Sequence, residues 1–292
     1  MDSDLHLAHY ILTRFNISIF RADKQGKEVA DDAWTSQRIA LFERYCLPSV
    51  RNQSVQDFEW ICLFDEHSPQ ALRQRIAQWQ QQVPQLRPCF LSHDEALRYV
   101  HYFQRYIFQQ LTQQGRPMAL LATTYLDNDD LLHRDYLQQA QAYARAATQP
   151  TVITFSRGLQ CFEQLQLATE INYYNNHFLT LVERFRQGRM PTTVIALGHY
   201  FLRQCPIHVL NDTTHRGYWV ELIHGQNVDN DVKMRTWHRL HRFSNALRDY
   251  GADLPNATRA QFLRRFPPRW LRQALRRGWN KIARKPLPYL KE

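Results

Sequence analysis

The chain has 292 residues, a formal net charge of +10 and 44% hydrophobic residues. This hydrophobic share, with many aromatic side chains, excludes an intrinsically disordered chain. No apolar run reaches the roughly 18 residues that a membrane-spanning helix needs, and the acidic start Met1-Asp2-Ser3-Asp4 lacks the basic region of a signal peptide.

The first 150 residues alternate four times between an apolar strand and an amphipathic helix. This alternation predicts an α/β fold, a mostly parallel sheet with helices on both faces. No Gly-x-Gly-x-x-Gly follows the first strand, which disfavours a dinucleotide-binding fold. The predicted strands are 9–15, 58–64, 89–91 and 118–126, and the predicted helices are 32–45 (stopped near Pro48), 69–83, 96–114 (after a Ser92-x-x-Glu95 capping box) and 133–148.

After Pro150 the pattern changes to shorter elements. We predict strands at 151–155 and 158–162 joined by a tight turn, a helix at 193–204, strands at 207–210 and 218–223, and helix from Trp237 onward. The predicted organisation is a domain 1–235, with a first half 1–150 and a second half 151–235, and a basic helical C-terminal extension 236–292.

The stretch after the fourth strand carries the strongest chemical signal. An apolar run ends in Asp127-Asn128-Asp129-Asp130, and carboxylates crowded at a strand end are costly unless a cation lies there. Hard oxygen ligands favour Mg²⁺ or Mn²⁺, and this sheet edge is where α/β proteins bind ligands. The alternative is a solvated turn in which Asp129 or Asp130 caps a helix starting near Leu131. The flanking sequence excludes an EF-hand loop, a Walker B strand and a zinc site.

An ordered set of residues resembles the bacterial rhamnosyltransferase family, a branch of the GT-A glycosyltransferases, over residues 10–231. The set comprises Leu12-Thr13-Arg14-Phe15-Asn16, Trp34, Arg38, Phe42-Glu43, Leu47-Pro48-Ser49, Phe58-Glu59-Trp60, Asp65, Leu126-Asp127-Asn128-Asp129-Asp130, Trp219 and His224-Gly225-Gln226-Asn227. The resemblance implies a GT-A-like domain that moves a sugar, such as rhamnose, from a nucleoside-diphosphate sugar donor. The implied acceptor is a saccharide or lipid-linked saccharide in bacterial surface polysaccharide synthesis.

The resemblance also implies site residues. Asp127, Asp129 and His224 would hold the divalent metal, with Asp127 shared between the metal and the donor. Asp130 could also ligate the metal, or cap the next helix. The other expected donor contacts are Thr13, Arg14, Arg38 and Asp65. The alternatives are a surface salt bridge of Arg38 with Glu43 or Asp32, a turn-capping role for Asp65, and a structural role for His224.

The catalytic base is less well defined. An inverting transfer needs a carboxylate or imidazole near the acceptor hydroxyl. Candidates in the second half are Glu163, Glu170, Asp212, Glu221 and His199, and we favour Asp212, followed by His199 and Glu170. Each has a structural alternative.

The positive charge lies in the tail. Residues 259–292 hold 11 Lys or Arg and one acid, so the rest of the chain is balanced. A helix over 269–284 would carry Trp270, Leu271, Leu275, Trp279 and Ile282 on one face, a pattern typical of helices in an anionic membrane interface. Alternatively this face docks onto the domain.

Two further alternatives concern function. The Arg-rich tail could mark a nucleic-acid- or nucleotide-binding protein, but the neutral body disfavours it, so no nucleic acid partner is expected. An inactive scaffold is disfavoured by the intact aspartates. Five scattered cysteines without a Cys-x-x-Cys pair favour a reducing compartment. We expect a cytoplasmic protein, peripheral on the cytoplasmic face of the inner membrane if the tail binds lipid.

Overall fold

The computed structural model describes residues 5–17, 32–163, 167–197, 206–214, 217–224, 240–242 and 247–252. Its strands are β1 (Leu7–Arg14), β2 (Glu59–Asp65), β3 (Leu86–Leu91), β4 (Met118–Tyr125), β5 (Leu131–Leu132), β6 (Thr151–Phe155), β7 (Arg157–Phe162), β8 (Leu167–Asn172), β9 (Leu179–Arg186), β10 (His208–Asp212), β11 (Trp219–Ile223) and β12 (Leu240–Arg242). Its helices are α1 (Asp32–Leu41), α2 (Leu47–Arg51), α3 (Gln70–Gln82), α4 (His93–Leu97), α5 (Tyr99–Gln113), α6 (Tyr136–Ala146) and α7 (Val194–Leu197).

Within the described residues, seven strands form one sheet in the order β10-β6-β9-β4-β1-β2-β3. β9 pairs antiparallel with β4 and β6, and the other neighbours are parallel. The predicted α/β fold with a mostly parallel sheet is confirmed. β4 lies in the middle of this sheet, so the strand ends of β1, β2, β4, β6 and β10 share one edge.

Helices cover both faces of this sheet. Leu7 and Ile11 of β1 join a core cluster with α3 and α6, whereas Tyr10 and Leu12 join a second cluster with α5. A strand buried on both faces has to be apolar throughout, which explains the continuous apolar runs of β1 and β4. The predicted capping box is confirmed, with the Ser92 side chain accepting from the Glu95 amide at the start of α4.

The helix predicted to stop near Pro48 continues to Arg51. A π-helical turn, Phe42–Cys46, joins α1 to α2, and the Leu47 amide donates to the Phe42 carbonyl. Pro48 therefore falls in the first turn of α2, where its missing N–H costs little.

The helix predicted from residue 133 begins later, and the preceding leucines form a strand. Leu131 and Leu132 are fully buried and pair antiparallel with β11, and α6 begins at Tyr136. Asp129 and Asp130 therefore do not cap a helix at Leu131, and that alternative reading of the acidic motif is wrong.

A second sheet, which the sequence did not predict, has five strands among the described residues, in the order β12-β8-β7-β11-β5. The predicted turn between 151–155 and 158–162 is wrong, because β6 belongs to the first sheet and β7 to the second. β8 and β9 were missed as well. The chain crosses between the sheets at Ser156, whose amide donates to the Asp212 carbonyl at 3.2 Å.

Part of the predicted C-terminal extension belongs to the folded body. β12 pairs with β8, which corrects the prediction of continuous helix from Trp237. Leu247 and Tyr250 are buried against β7 and β11, and the Tyr250 hydroxyl donates to the Gly217 carbonyl at 2.7 Å. The predicted helix 269–284 lies outside the described residues. In the parts of the chain that are described, no helix is both long and apolar enough to cross a bilayer.

His9 of β1 makes the stability of the fold sensitive to acid. Its ring is 3% exposed, its Nε2 lies 2.8 Å from Thr124 Oγ1, and burial lowers the pKa from 6.5 to about 3. The folded state therefore stays neutral at His9 while the unfolded state takes up a proton as pH falls below 6.5, so stability falls between pH 6.5 and 3.

We expect this histidine to account for about 2 kcal/mol of lost unfolding free energy between pH 7 and pH 5. Urea unfolding of the wild type and of His9→Gln at both pH values measures it. Because glutamine does not titrate, the variant should lose about 2 kcal/mol less than the wild type over this interval. Equal losses in both proteins would contradict the assignment.

Candidate active site

Three segments meet at the edge where the parallel strands end. Residues 127–130 follow β4. His177 lies two residues before β9, which starts at this edge because it runs antiparallel to β4. His224 follows β11 of the second sheet, and the Leu222 amide donates to Asp130 Oδ1 at 2.9 Å. The two sheets therefore meet at the aspartate motif.

Asp127, Asp130 and His177 converge on one point. One ligand atom from each lies within 4.8 Å of the other two. His177 Nε2 is 2.6 Å from Asp130 Oδ2 and 3.8 Å from Asp127 Oδ2. The side chain of Asp127 is 36% exposed and that of Asp130 is 2% exposed, so the cluster opens to solvent through Asp127.

His177 and Asp130 form a buried charged pair. Burial alone disfavours the imidazolium, but the hydrogen bond to Asp130 and the charges of Asp130, Asp127 and Glu221 outweigh it and raise the pKa of His177. Burial raises the pKa of Asp130 against the opposing effect of His177. A protonated His177 thus supplies the cation that crowded carboxylates require.

Asp129 is bound to other partners. Its Oδ2 accepts from Arg38 Nη1 at 2.5 Å and lies 2.9 Å from His224 Nε2. Burial opposes ionisation, but the charge of Arg38 and the hydrogen bond with His224 hold the pKa of Asp129 well below its usual range. Arg38 is 8% exposed, so the alternative of a surface salt bridge for this residue is wrong.

Arg14 lies beside Asp127 at the end of β1. Its Nη2 donates to the Tyr125 hydroxyl at 2.8 Å and lies 4.0 Å from Asp127 Oδ1. The guanidinium stacks over the rings of Tyr99 and Tyr125, at 5.0 Å and 5.8 Å from their centroids. The Tyr125 hydroxyl also donates to Asp127. The side chain is 33% exposed, so Arg14 presents positive charge to solvent next to the cluster.

The donor atoms of Asp127, Asp130 and His177 fit a divalent ion. Two carboxylates and an imidazole suit Mn²⁺, and the carboxylates suit Mg²⁺. Binding would release the proton of His177, because a metal ligand has to be deprotonated. This set shares Asp127 with the predicted one and has Asp130 and His177 in place of Asp129 and His224.

A family model described as "Putative rhamnosyl transferase" matches residues 9–236. The chain belongs to this family. This is the family that the resemblance of its motifs indicated. The match includes most of β1, the aspartate motif, His177 and His224. No curated protein matches the chain.

Several solved structures are similar to this rhamnosyl transferase family member. The S. aureus TarS 1–349 structure has 11% identity and a TM-score of 0.40, and its complex with UDP has 13% identity and a TM-score of 0.39. Each alignment covers 74% of this chain and 60% of TarS 1–349. A "putative nucleotide-diphospho-sugar transferase" from Desulfovibrio desulfuricans G20 has 10% identity and a TM-score of 0.32, with 73% and 80% covered.

Two of the predicted donor residues have hydrogen bonds within the protein. Thr13 is fully buried, donates to the Leu126 carbonyl at 2.8 Å and accepts from the Trp60 indole at 2.9 Å. Asp65 Oδ1 accepts from the His67 amide at 2.7 Å, which matches the turn-capping alternative. Arg14, Arg38 and Asp127 lie together at the motif.

Among the candidate bases, Glu221 lies near the cluster, whereas Asp212 lies at another part of the sheet edge. Asp212 ends β10, three strand positions or roughly 14 Å from β4, and it accepts from Tyr143 at 3.0 Å and from the Thr214 amide at 2.7 Å. Glu170 pairs with Leu159, which pairs with Val220, whereas Glu221 pairs with Gln160. The Glu170 side chain is therefore on the opposite face of the second sheet from Glu221. His199 lies outside the described residues. Glu163 follows β7, and its Oε1 lies 3.4 Å from Arg44 Nη1 and from the Tyr45 hydroxyl.

The sequence pattern did not single out His177, and it offered Glu221 only as one of several candidate bases. His177 was not predicted, although it sits in a polar stretch, Asn172-Tyr173-Tyr174-Asn175-Asn176-His177, just before a strand. Glu221 is 2% exposed and accepts from Gln160 Nε2 at 2.7 Å. Its charge helps to raise the pKa of His177, which places it near the cluster.

Proposed function

We propose that this chain transfers a sugar, rhamnose by its family, from a nucleoside-diphosphate sugar in a GT-A-like site that depends on Mn²⁺ or Mg²⁺. The convergence of Asp127, Asp130 and His177 at the end of β4 carries the proposal. In a member of a glycosyltransferase family, a cluster of this chemistry at the ligand-binding edge of the sheet is a candidate donor site.

The roles of the residues follow from their charges. Asp127, Asp130 and His177 would hold the metal, which when bound would neutralise the diphosphate leaving group. Arg14, partly exposed and 4.0 Å from Asp127, would orient the diphosphate through its N–H groups. Tyr99 and Tyr125 restrict the guanidinium to this position.

A screen of sugar nucleotides for metal-dependent hydrolysis tests the proposal. The chain is incubated with dTDP-, UDP- and GDP-sugars in Mn²⁺, in Mg²⁺ and in EDTA, and the released nucleoside diphosphate is measured. We expect release from at least one sugar nucleotide, abolished by EDTA. Release that EDTA leaves unchanged would contradict the metal dependence, and no release with any donor would contradict the donor class.

We propose that the acceptor is a saccharide that is linked to a lipid at an anionic membrane surface. It is supported by the charge of residues 259–292 and the predicted amphipathic pattern of 269–284. Since Leu247 and Tyr250 are buried in the folded body, a chain ending at Pro255 should keep that body and lose only the basic tail.

We expect the full-length chain, and not the chain ending at Pro255, to sediment with anionic liposomes at low salt. The binding should weaken as salt screens the basic residues. Neutral liposomes are the control. If the full-length chain stays in the supernatant, or the shortened chain sediments equally, the membrane part of the proposal fails while the donor chemistry stands.

A further inference from the structure

The Asp129 carboxylate joins three parts of the fold. Its Oδ2 accepts from Arg38 Nη1 of α1 at 2.5 Å and lies 2.9 Å from His224 Nε2, just after β11. The neighbouring Asn128 accepts from the same Arg38 nitrogen at 3.2 Å and donates to the Phe15 carbonyl at 2.7 Å. The middle of the aspartate motif is thus tied to the end of β1, to α1 and to the second sheet.

These contacts conflict with metal ligation by Asp129. A divalent ion on Oδ2 would lie next to the guanidinium of Arg38, and two unscreened cations in a buried site repel each other. The side chains of Arg38 and Asp129 are both buried, so water screens their charges poorly. Asp127 and Asp130, in contrast, direct oxygens toward His177.

We propose that Asp129 is a positioning residue, not a metal ligand. Held by Arg38 and His224, it fixes the backbone of residues 127–130 so that Asp127 and Asp130 converge with His177. This inference rests on the proposed metal-dependent function. It reverses the role that the resemblance gives to the second aspartate of the motif.

The energetics support an anchor of this kind. Asp127 and Asp130 lie within two residues of Asp129, so a fixed Asp129 limits the directions in which their side chains can point. Removing one partner of a buried ion pair leaves the other charge uncompensated, which disturbs the surrounding structure more than removing both. Arg38 and Asp129 should therefore act as one unit.

Mn²⁺ affinity in the absence of any donor distinguishes the roles. Calorimetric titration of the full chain with Mn²⁺ is compared for Asp129→Asn, Arg38→Met, the double variant and the matched control Asp130→Asn. We expect Asp130→Asn to lose at least about tenfold in affinity. Asp129→Asn and Arg38→Met should each weaken binding about three- to fivefold with one ion still bound per chain, and the double variant should be no weaker than either single variant.

Each other outcome overturns the inference. A loss in Asp129→Asn as large as in Asp130→Asn would make Asp129 a ligand. Unchanged Mn²⁺ affinity with a lowered melting temperature would make it structural only. If Arg38→Met does not fold, Arg38→Lys, which keeps a cation, replaces it and should bind Mn²⁺ more tightly than Asp129→Asn. A wild-type chain that binds no Mn²⁺ would instead contradict the proposed function itself.

Discussion

Replacing His177 with alanine is expected to lower metal-dependent donor hydrolysis at least about 100-fold, or about 2.7 kcal/mol in the barrier. The substitution removes the nitrogen that lies 2.6 Å from Asp130 Oδ2 and 3.8 Å from Asp127 Oδ2. A metal would then have two protein ligands, and the carboxylates would lose the cation that balances them. Initial rates at several Mn²⁺ concentrations measure the effect.

The matched control is His101→Ala, because His101 is an exposed histidine of α5. We expect it to keep the wild-type rate and metal dependence. His177→Ala should also unfold at lower temperature without metal, since the buried Asp130 loses its charged partner. If His177→Ala hydrolyses the donor at a wild-type rate, the proposed metal set is wrong.

The sequence predicts the first sheet well because its strands are buried on both faces. The apolar runs of β1, β2 and β4 admit few alternatives, and their carboxyl ends carry Arg14, Asp65 and Asp127 as expected. β3 was predicted to start three residues too late, since Pro88 argues against a strand. It is tolerated there because β3 lies at the sheet edge.

The second sheet and the convergence of Asp127, Asp130 and His177 could not be predicted in the same way. The turn at Ser156 looks identical whether the next strand returns to the same sheet or enters another. His177 lies 47 residues after Asp130 and reaches it because β9 pairs with β4. Which strands pair depends on contacts between residues far apart in the sequence, so a local sequence pattern does not predict it.

The long-range origin of these contacts also explains why the sequence did not predict the partners of each aspartate. A motif of four residues shows which carboxylates are close together but not which way each points. Arg38 and Asp129 are 91 residues apart, so their contact depends on the tertiary fold. Family resemblance pointed to the motif, and the tertiary contacts direct Asp127 and Asp130 toward His177 and Asp129 toward Arg38 and His224.

Gly158→Ala is expected to lower the free energy of unfolding by about 3 kcal/mol, through overpacking and a lost hydrogen bond. A Cβ at Gly158 would lie 2.2 Å from the Trp219 ring. The ring cannot move freely, because its indole N–H donates to the Phe155 carbonyl at 2.6 Å and its face stacks on Phe178 at 4.6 Å. Urea unfolding measures the loss.

Two further variants isolate this steric cause. Gly188→Ala is the matched control, because a Cβ there meets nothing within 4 Å and only its φ of +89° is strained, which costs about 1 kcal/mol. Trp219→Val removes the ring that faces Gly158, so Gly158→Ala should cost less in that background than in the wild type. Equal costs in both backgrounds would contradict the steric account.

Gly158→Ala should also weaken Mn²⁺ binding, because the ring of Trp219 contacts Phe178, which in turn contacts His177 of the proposed metal site. Phe178 stacks on Trp219 with planes 12° apart, and its centroid lies 4.1 Å from that of His177. A displaced Trp219 therefore moves the support of His177 without touching any metal ligand. We expect Mn²⁺ affinity to fall in Gly158→Ala and to stay at the wild-type value in Gly188→Ala. Unchanged affinity in Gly158→Ala would show that His177 keeps its position without this stack.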